Sequence, residues 1–293
     1  METADGDFVD IDVGTDPGPG SPVVLILHGL EGSSRRAYVR TAAAALARRG
    51  ILPVAMNCRA CSGVPNRLAR FYHSGDTGDP ARVVDYLLGR YPGRPLGALG
   101  FSLGGNMLLR LLGELGASAP DELQGAVAIS VPYDLARGAD MLEKGVMGPF
   151  YARYFLRSLR RKVRAKASLL RDVIDVDRAL SARTIREFDD AATAPLHGFP
   201  SAADYYDRAS SGRILSEIRV PTYLIHAEDD PFLPAQSLPR AALAANPWLV
   251  AAFSGGGGHV GFLEGIGPGR ATFWVEEEAA RYLAEVFGCA PSR

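Results

Sequence analysis

Short apolar runs, each bounded by turn residues, recur along most of the chain. Runs of this length are typical of strands buried on both faces of a parallel sheet. They predict strands at residues 23–27, 51–56, 96–100, 126–130, 222–226 and 249–253. Helical patterns lie between most of them. Examples are 38–49, which is alanine-rich with a basic end, and 80–90, where apolar residues share one face. Alternating strands and helices predict a doubly wound, mostly parallel α/β sheet, with its ligand crevice beyond the C-terminal strand ends.

One long interval breaks this alternation. Residues 135–221 form a stretch of 87 residues without a convincing strand, whereas a simple crossover needs only about a dozen. We interpret this interval as a helical cap, at about 135–215, inserted into a single domain that spans residues 1–293.

The first part of this cap is strongly basic. The segment from Lys144 to Arg171 contains nine Lys or Arg residues and no acid. Apolar residues recur within it at a helical spacing of four: Tyr151, Phe155, Leu159 and Val163. We interpret it as a cap helix with a solvated basic face, and peripheral contact with a membrane or an anionic substrate is the alternative.

Composition and charge exclude several classes of protein. With 47% hydrophobic and 22% charged residues the chain is typical of globular proteins, and a net charge of -1 argues against nucleic-acid binding. Three cysteines are too few for a disulfide framework, which favours a reducing compartment. The first residues are acidic, unlike a secretory signal, and no stretch has the apolar density of a membrane span. We expect a cytoplasmic protein without stable membrane insertion, and by default a monomer.

The best candidate for chemistry follows the strand predicted at 96–100. Gly100-Phe101-Ser102-Leu103-Gly104 is a G-x-S-x-G motif, and an apolar helical pattern follows it. Glycines are needed there because the sharp turn brings the positions two residues either side of the serine against neighbouring backbone. The motif therefore predicts that Ser102 is a nucleophile exposed in the crevice.

A serine nucleophile needs a base and an acid that orients it. A hydroxyl is protonated at neutral pH, so an imidazole must take its proton, and His259 in the glycine-rich loop after the last predicted strand is the candidate. For the carboxylate we favour Asp230, after the strand at 222–226, over Asp229, with Asp134 as a third choice. The order serine, acid, histidine along the chain is that of α/β-hydrolases.

Negative charge on the tetrahedral intermediate requires N–H donors aimed at it in advance. The segment His28-Gly29-Leu30-Glu31-Gly32 follows the first predicted parallel strand, close to where the Ser102 turn should lie. In this fold the donors would be the backbone N–H groups of Leu30 and Leu103. The remaining motif, Cys58-Arg59-Ala60-Cys61, has no second cysteine pair or neighbouring histidine in sequence, and no nucleotide-binding glycine pattern is present. We expect neither a metal nor a cofactor.

Taken together, the motifs resemble those of the YheT-like family of α/β-hydrolases. The matches run in order from about Asp5 to about Val286. They comprise residues 28–34, 57–63, 72–77, 100–106, 186–190, 226–232 and 258–262. Family members usually carry more N-terminal sequence, including another strand, so we expect the sheet to be short at that edge. Cys58 and Ala60 depart from the residues that the family usually has, and the resemblance gives no role for 72–77 or 186–190 beyond packing or cap anchoring.

The resemblance implies an α/β-hydrolase fold and a carboxylic-ester hydrolase with a Ser-Asp-His relay, carried here onto Ser102, Asp230 and His259. Some eukaryotic relatives act on lipids, so the expected substrate is a small-molecule ester or an acyl lipid. Two alternatives are a phospholipase or lysophospholipase acting at membrane surfaces, and a non-catalytic ligand-binding protein on the same fold.

Overall fold

A seven-stranded sheet organises the molecule. The computed structural model describes residues 1–144, 147–233, 235–265 and 272–289. Gly145 and Val146, within the predicted cap, and Pro234, four residues after Asp230, lie outside the described residues. The strands are β1 Asp10–Val13, β2 Val23–Leu27, β3 Leu52–Asn57, β4 Leu96–Phe101, β5 Leu123–Ile129, β6 Thr222–Ala227 and β7 Leu249–Ser254, with a separate short pair, β8 Leu263–Glu264 and β9 Thr272–Phe273.

The strand order is β1-β3-β2-β4-β5-β6-β7. Strand β1 pairs antiparallel with β3, and the other neighbours in this sheet are parallel. The prediction of a mostly parallel, doubly wound α/β sheet is therefore confirmed. Six strands match the predicted runs within a few residues. The sequence pattern missed β1 because this edge strand is short, partly exposed and alternates acidic with apolar residues.

Helices cover both faces of the sheet. They are α1 Ala37–Ala47, α2 Gly78–Arg90, α3 Leu103–Leu115, α4 Leu135–Leu142, α5 Met147–Ala165, α6 Ala167–Leu170, α7 Val176–Ser181, α8 Ile185–Phe188, α9 Ala194–Leu196, α10 Ala202–Ala209, α11 Arg240–Ala245 and α12 Trp274–Val286. Alternate β2 residues face opposite layers, as the strand period of two requires. Leu25 packs in the core shared with α2 and α3, whereas Ile26 packs against α1 and α12.

The predicted cap is present between β5 and β6. It consists of α4 to α10, with a π-helical turn at Asp189–Thr193. Its buried residues Leu156 and Val163 belong to the same apolar core as the sheet residue Leu25. This continuity supports the interpretation of one domain with an insertion, which stays a prediction. Among the helices that the structure describes, none combines a membrane-spanning length with the apolar composition of a bilayer core.

A buried arginine ties the loop after β3 to two other segments. Arg59 is 2% exposed, and its Nε and Nη2 each donate to the Asp79 carboxylate at 2.7 Å. Its Nη1 donates to Asp7 at 3.2 Å and to Asp5 at 2.8 Å. The N-terminal segment, the β3 loop and the start of α2 are thus held by one guanidinium group, and this structural role accounts for part of the 57–63 motif.

Removing this guanidinium group should destabilise the fold. Arg59→Met leaves Asp7 and Asp79 buried without their cation, so the free energy of unfolding should fall by about 3–5 kcal/mol. Urea denaturation followed by circular dichroism measures it. Arg213→Met, which removes an exposed pair with Asp207, is the control and should lose about 1 kcal/mol or less. Equal losses in the two variants would contradict the role given to Arg59.

Candidate active site

Ser102 lies in a sharp turn between β4 and α3. Its backbone has φ of +51° and ψ of -119°, a strained conformation for a residue with a side chain. A Cβ on Gly100 would lie 2.6 Å from Gly104 O, and one on Gly104 would lie 2.5 Å from Leu27 O. Both contacts are with backbone, so the two positions require glycine, as the motif predicted. The turn presents the Ser102 side chain to the crevice at the C-terminal edge of the sheet.

The loops after β6 and β7 bring two further side chains to Ser102. His259 Nε2 lies 2.9 Å from Ser102 Oγ, and His259 Nδ1 lies 2.7 Å from Asp230 Oδ2. The Asp230 side chain is fully buried, and its other oxygen accepts a hydrogen bond from Phe232 N at 2.8 Å. Because a carboxylate only accepts, Nδ1 carries the imidazole proton and Nε2 is the acceptor for the Ser102 hydroxyl. The three predicted residues therefore form one hydrogen-bonded chain.

The two alternative carboxylates occupy other positions. Asp229 is exposed and accepts a hydrogen bond from Gly258 N at 2.8 Å, so it holds the loop that carries His259. Asp134 is half-exposed, and it caps the N-terminus of α4 by accepting from Arg137 N at 3.1 Å. Neither is hydrogen-bonded to the His259 ring.

The other four histidines have different surroundings. His28 Nδ1 lies 2.8 Å from Gly29 O, and its Nε2 accepts from Cys58 N at 3.1 Å, so it braces the loop after β2. His73 packs against His197 at 4.6 Å between ring centroids, and burial lowers the pKa of both. His226 is buried on β6, and burial lowers its pKa as well. His28 therefore lies close in space to the Cys58-Arg59-Ala60-Cys61 motif, although it is not near that motif in the sequence.

The loop after β2 lies directly against the Ser102 turn. A Cβ on Gly29 would approach Ser102 Cβ to 3.2 Å. Gly32 N donates to Gly29 O at 2.9 Å, so Leu30 and Glu31 are the central residues of a tight turn. Within the described part of the chain, nothing accepts a hydrogen bond from the N–H of Leu30 or of Leu103. Both predicted donors are therefore available to a ligand beside Ser102.

A mostly apolar pocket of about 1100 Å³, including its open mouth, extends from this site beneath the cap. Ser102, Leu103 and His259 line one part of it. Cap helices α4, α5 and α8 supply apolar side chains that include Leu135, Leu142, Phe155, Leu159 and Phe188. An apolar pocket that opens beside the hydrogen-bonded chain of Ser102, His259 and Asp230 suits a ligand with a hydrocarbon portion and one reactive polar group.

The sequence did not identify the aromatic contacts that surround the imidazole. Phe232 meets the His259 ring at 4.6 Å between centroids, and Tyr151 of α5 meets Phe232 at 4.5 Å. The sequence signal that could have identified Phe232 was its place in the 226–232 motif. Tyr151 was recognised only as part of the helical stripe, since the sequence does not show which wall that stripe faces.

Of the two motifs without an assigned role, 72–77 connects the cap to α3, and 186–190 connects helices within the cap. Asn106 of α3 donates to Ser74 O and to Ala209 O, each at 2.8 Å. In the second motif, Asp189 accepts from Tyr206 at 2.7 Å, and burial raises the Asp189 pKa to about 6. Arg186 donates to the Asp140 carboxylate at 2.5 Å. These contacts support the packing and anchoring roles expected for 72–77 and 186–190.

Comparisons with known proteins agree with this architecture. The family model described as alpha/beta hydrolase fold matches residues 22–265. The Escherichia coli (strain K12) protein YheT, named for a proposed esterase activity, is 39% identical over 90% of this chain and 78% of its own length. The mouse protein named phospholipase ABHD3 is 32% identical over 86% of this chain, which spans only 61% of that relative.

The solved structure of the Pyrococcus furiosus esterase Pf2001 in space group P21 has the same fold. It superimposes with a TM-score of 0.61 at 18% identity, over 98% of this chain and 89% of that one. The family match, the YheT identity and the shared architecture lead to one conclusion. The chain belongs to the YheT-like family of α/β-hydrolases, a family with relatives of the esterase and lipase type.

Proposed function

We propose that this protein is a serine hydrolase that cleaves carboxylic esters through an acyl-enzyme intermediate. The observation that carries the proposal is the hydrogen-bonded chain from the buried Asp230 through His259 to Ser102, at the polar end of an apolar pocket. An imidazole held by a carboxylate beside a serine hydroxyl is the arrangement that activates a serine nucleophile.

In the first half of the reaction, Ser102 Oγ attacks the ester carbonyl carbon while its proton passes to His259 Nε2. Asp230 stabilises the imidazolium that forms. The N–H groups of Leu30 and Leu103 donate to the carbonyl oxygen as it becomes an oxyanion. The intermediate collapses, the C–O bond of the ester breaks, and the departing alcohol takes the proton from His259.

In the second half, water attacks the acyl-enzyme carbonyl and gives a proton to His259. The acid leaves as Ser102 recovers that proton. Every proton transfer uses the same imidazole nitrogen, and these steps need only the protein's own groups and water.

The pocket supports a hydrophobic acyl group as the substrate portion beside Ser102. Apolar side chains of α4, α5 and α8 form its walls, so burying a hydrocarbon chain there is favourable by roughly 0.8 kcal/mol for each CH₂. The name of the mouse relative, a phospholipase, favours acyl lipids among the possible esters. The monomeric state and the cytoplasmic location stay predictions.

Replacing the nucleophile should abolish turnover. Ser102→Ala should reduce kcat for a soluble p-nitrophenyl ester by about 10⁶-fold, because it removes the attacking atom. A fluorophosphonate probe should label the wild-type protein at Ser102 and leave the variant unlabelled. Ser216→Ala, at an exposed serine, is the control. Full turnover by Ser102→Ala would reject the proposal, and an unlabelled, inactive wild type would favour a non-catalytic ligand-binding protein.

Variants of the two neighbouring aspartates distinguish the carboxylate that orients His259 from the one that only holds its loop. Asp230→Asn should lower kcat by roughly 10⁴-fold, because an amide in that position favours the wrong imidazole tautomer. Asp229→Asn retains an oxygen that can accept from Gly258 N, so its loss should stay within about tenfold. The measurement is kcat of both variants at one pH on one ester. Equal effects, or a larger effect at Asp229, would show that Asp230 is not the carboxylate that orients His259.

A second candidate function is acyl hydrolysis at a membrane surface, and the outer face of α5 supports it. This outer face consists of the large exposed side chains of α5: Met147, Phe150, Arg153, Tyr154, Arg157, Arg161 and Arg164. Phe150 is 65% exposed, which is unusual for a large aromatic side chain. No carboxylate of the described residues lies within 4.0 Å of the four arginines. Unpaired arginines beside exposed aromatic residues suit an anionic lipid surface.

Vesicle co-sedimentation tests this surface. The wild-type protein should bind vesicles that contain phosphatidylglycerol at low salt, and salt should weaken binding. Replacing Arg153, Arg157 and Arg161 by Gln should weaken binding by roughly 100-fold, since each arginine near such a surface contributes about 1 kcal/mol. The matched control replaces Arg35, Arg40 and Arg82, which are also exposed and unpaired among the described residues. Absence of wild-type binding at low salt would reject the membrane function and leave the soluble esterase intact.

A further inference from the structure

A buried glutamate stands next to the proposed oxyanion donor. Glu31 follows Leu30 in the turn after β2, and its side chain is only 1% exposed. Its φ of +53° lies in the left-handed region, which is unfavourable for a residue with a side chain. When the third residue of a turn has a positive φ, as Glu31 does here, that residue is ordinarily glycine or asparagine. A charged, buried residue at such a position needs specific partners.

Those partners come from two different parts of the fold. The hydroxyl of Tyr72 accepts from Glu31 N at 2.8 Å and donates to Glu31 Oε1 at 2.9 Å. From α5, Ser158 Oγ donates to Glu31 Oε2 at 2.5 Å and Lys162 Nζ donates to Glu31 Oε1 at 2.6 Å. The Glu31 backbone oxygen also accepts from Arg36 at 2.9 Å. Both the side chain and the backbone of Glu31 are therefore held.

Lys162 supplies the countercharge. Burial opposes a charge on the ammonium group, but the neighbouring Cys61 and Glu31 outweigh burial and raise the Lys162 pKa. Ser158 and Lys162 lie one helical turn apart, so both reach the same carboxylate from one face of α5. A single helix of the cap thus holds the turn that contains Leu30.

The geometry of the turn links these contacts to the chemistry. In a turn closed from Gly32 N to Gly29 O, the N–H of the second residue, Leu30, is not used within the turn. The Leu30 N–H lies in the peptide plane that joins Gly29 to Leu30, so its direction changes if the turn containing Glu31 shifts. An oxyanion donor is effective only when it already points at the position where charge develops. The partners that hold Glu31 therefore also hold the Leu30 N–H in place.

We propose that Glu31 is a positioning residue, and that with Tyr72, Ser158 and Lys162 it fixes the turn so that the Leu30 N–H is aimed at the reacting oxygen. Helix α5 of the cap is then a required part of the oxyanion site in addition to a wall of the pocket. This inference rests on the proposed esterase function, because it assigns a role within that reaction.

The test compares Glu31→Gln and Tyr72→Phe with the wild type. Glu31→Gln keeps the size of the side chain and removes its charge, whereas Tyr72→Phe keeps the ring and releases the Glu31 N–H. For a soluble p-nitrophenyl ester, each should lower kcat by roughly 10- to 100-fold, less than the complete loss of an oxyanion donor. KM should change by less than about twofold, because ground-state binding does not use the oxyanion. Rates are expressed per active site titrated with a fluorophosphonate.

The inhibition constant of a trifluoromethyl ketone reports on the oxyanion donors, and a purely structural role for Glu31 would leave it unchanged. Ser102 Oγ adds to its carbonyl carbon, the hydroxyl proton passes to His259, and the carbonyl oxygen becomes an oxyanion. The inhibition constant of the ketone should rise in each variant by the same factor as kcat falls. The double variant should lose less than the product of the single losses, because both changes act on one turn. Glu276→Gln is the control, since Glu276 is another buried glutamate, on α12, and should leave both quantities unchanged.

Three results would overturn the inference: unchanged kcat and ketone affinity in both variants, an effect on KM alone, or a loss that disappears when rates are expressed per titrated site. These outcomes are separable from failure of the esterase proposal. If the wild-type protein neither labels at Ser102 nor hydrolyses esters, the proposed function itself fails. If the wild-type protein labels at Ser102 and hydrolyses esters, and Glu31→Gln and Tyr72→Phe have the same kcat and ketone affinity, only the positioning role fails.

Discussion

The close approach of backbone around Ser102 is the constraint that organises this molecule. Strand β4 must turn into α3 within one residue, and the space at Gly100 and Gly104 leaves no room for a side chain. The resulting left-handed conformation of Ser102 is unfavourable by about 1–3 kcal/mol, and it persists because the buried strand and helix either side of it over-determine the turn. Strain at this one residue directs a hydroxyl group into the crevice.

Burial then sets the electrostatics around that hydroxyl group. The buried Asp230 carboxylate is hydrogen-bonded to His259, and Phe232 packs against the imidazole in a T-shaped contact. In such surroundings a hydrogen bond to a charged group is stronger than in water, but an unpaired charge is more costly. The carboxylates near the proposed chemistry, Asp230 and Glu31, are accordingly hydrogen-bonded. Both oxygens of each carboxylate accept a hydrogen bond, so the charges that the site needs are held in fixed directions.

Helix α5 shows how one element can serve two environments. Phe155 and Leu159 face the pocket, Ser158 and Lys162 reach Glu31, and the opposite face carries arginines and Phe150. The basic run that the sequence showed is therefore divided: Lys162 is a largely buried ion-pair partner of Glu31, whereas Arg157 and its exposed neighbours form the outer face. Sequence periodicity identified the helix, and only packing shows which cation belongs to which face.

Local patterns in the sequence determined the alternation of strands and helices, the glycine-flanked turn at Ser102 and the candidacy of His259, because each follows from neighbouring residues. The sequence pattern did not predict edge strand β1, because this strand is half-exposed and has no apolar run. The choice among Asp134, Asp229 and Asp230 required the folded chain, since adjacent residues in a turn point in different directions. The partnership of Glu31 with Tyr72, Ser158 and Lys162 also required it, because these residues lie on separate segments that meet only when the cap packs on the sheet.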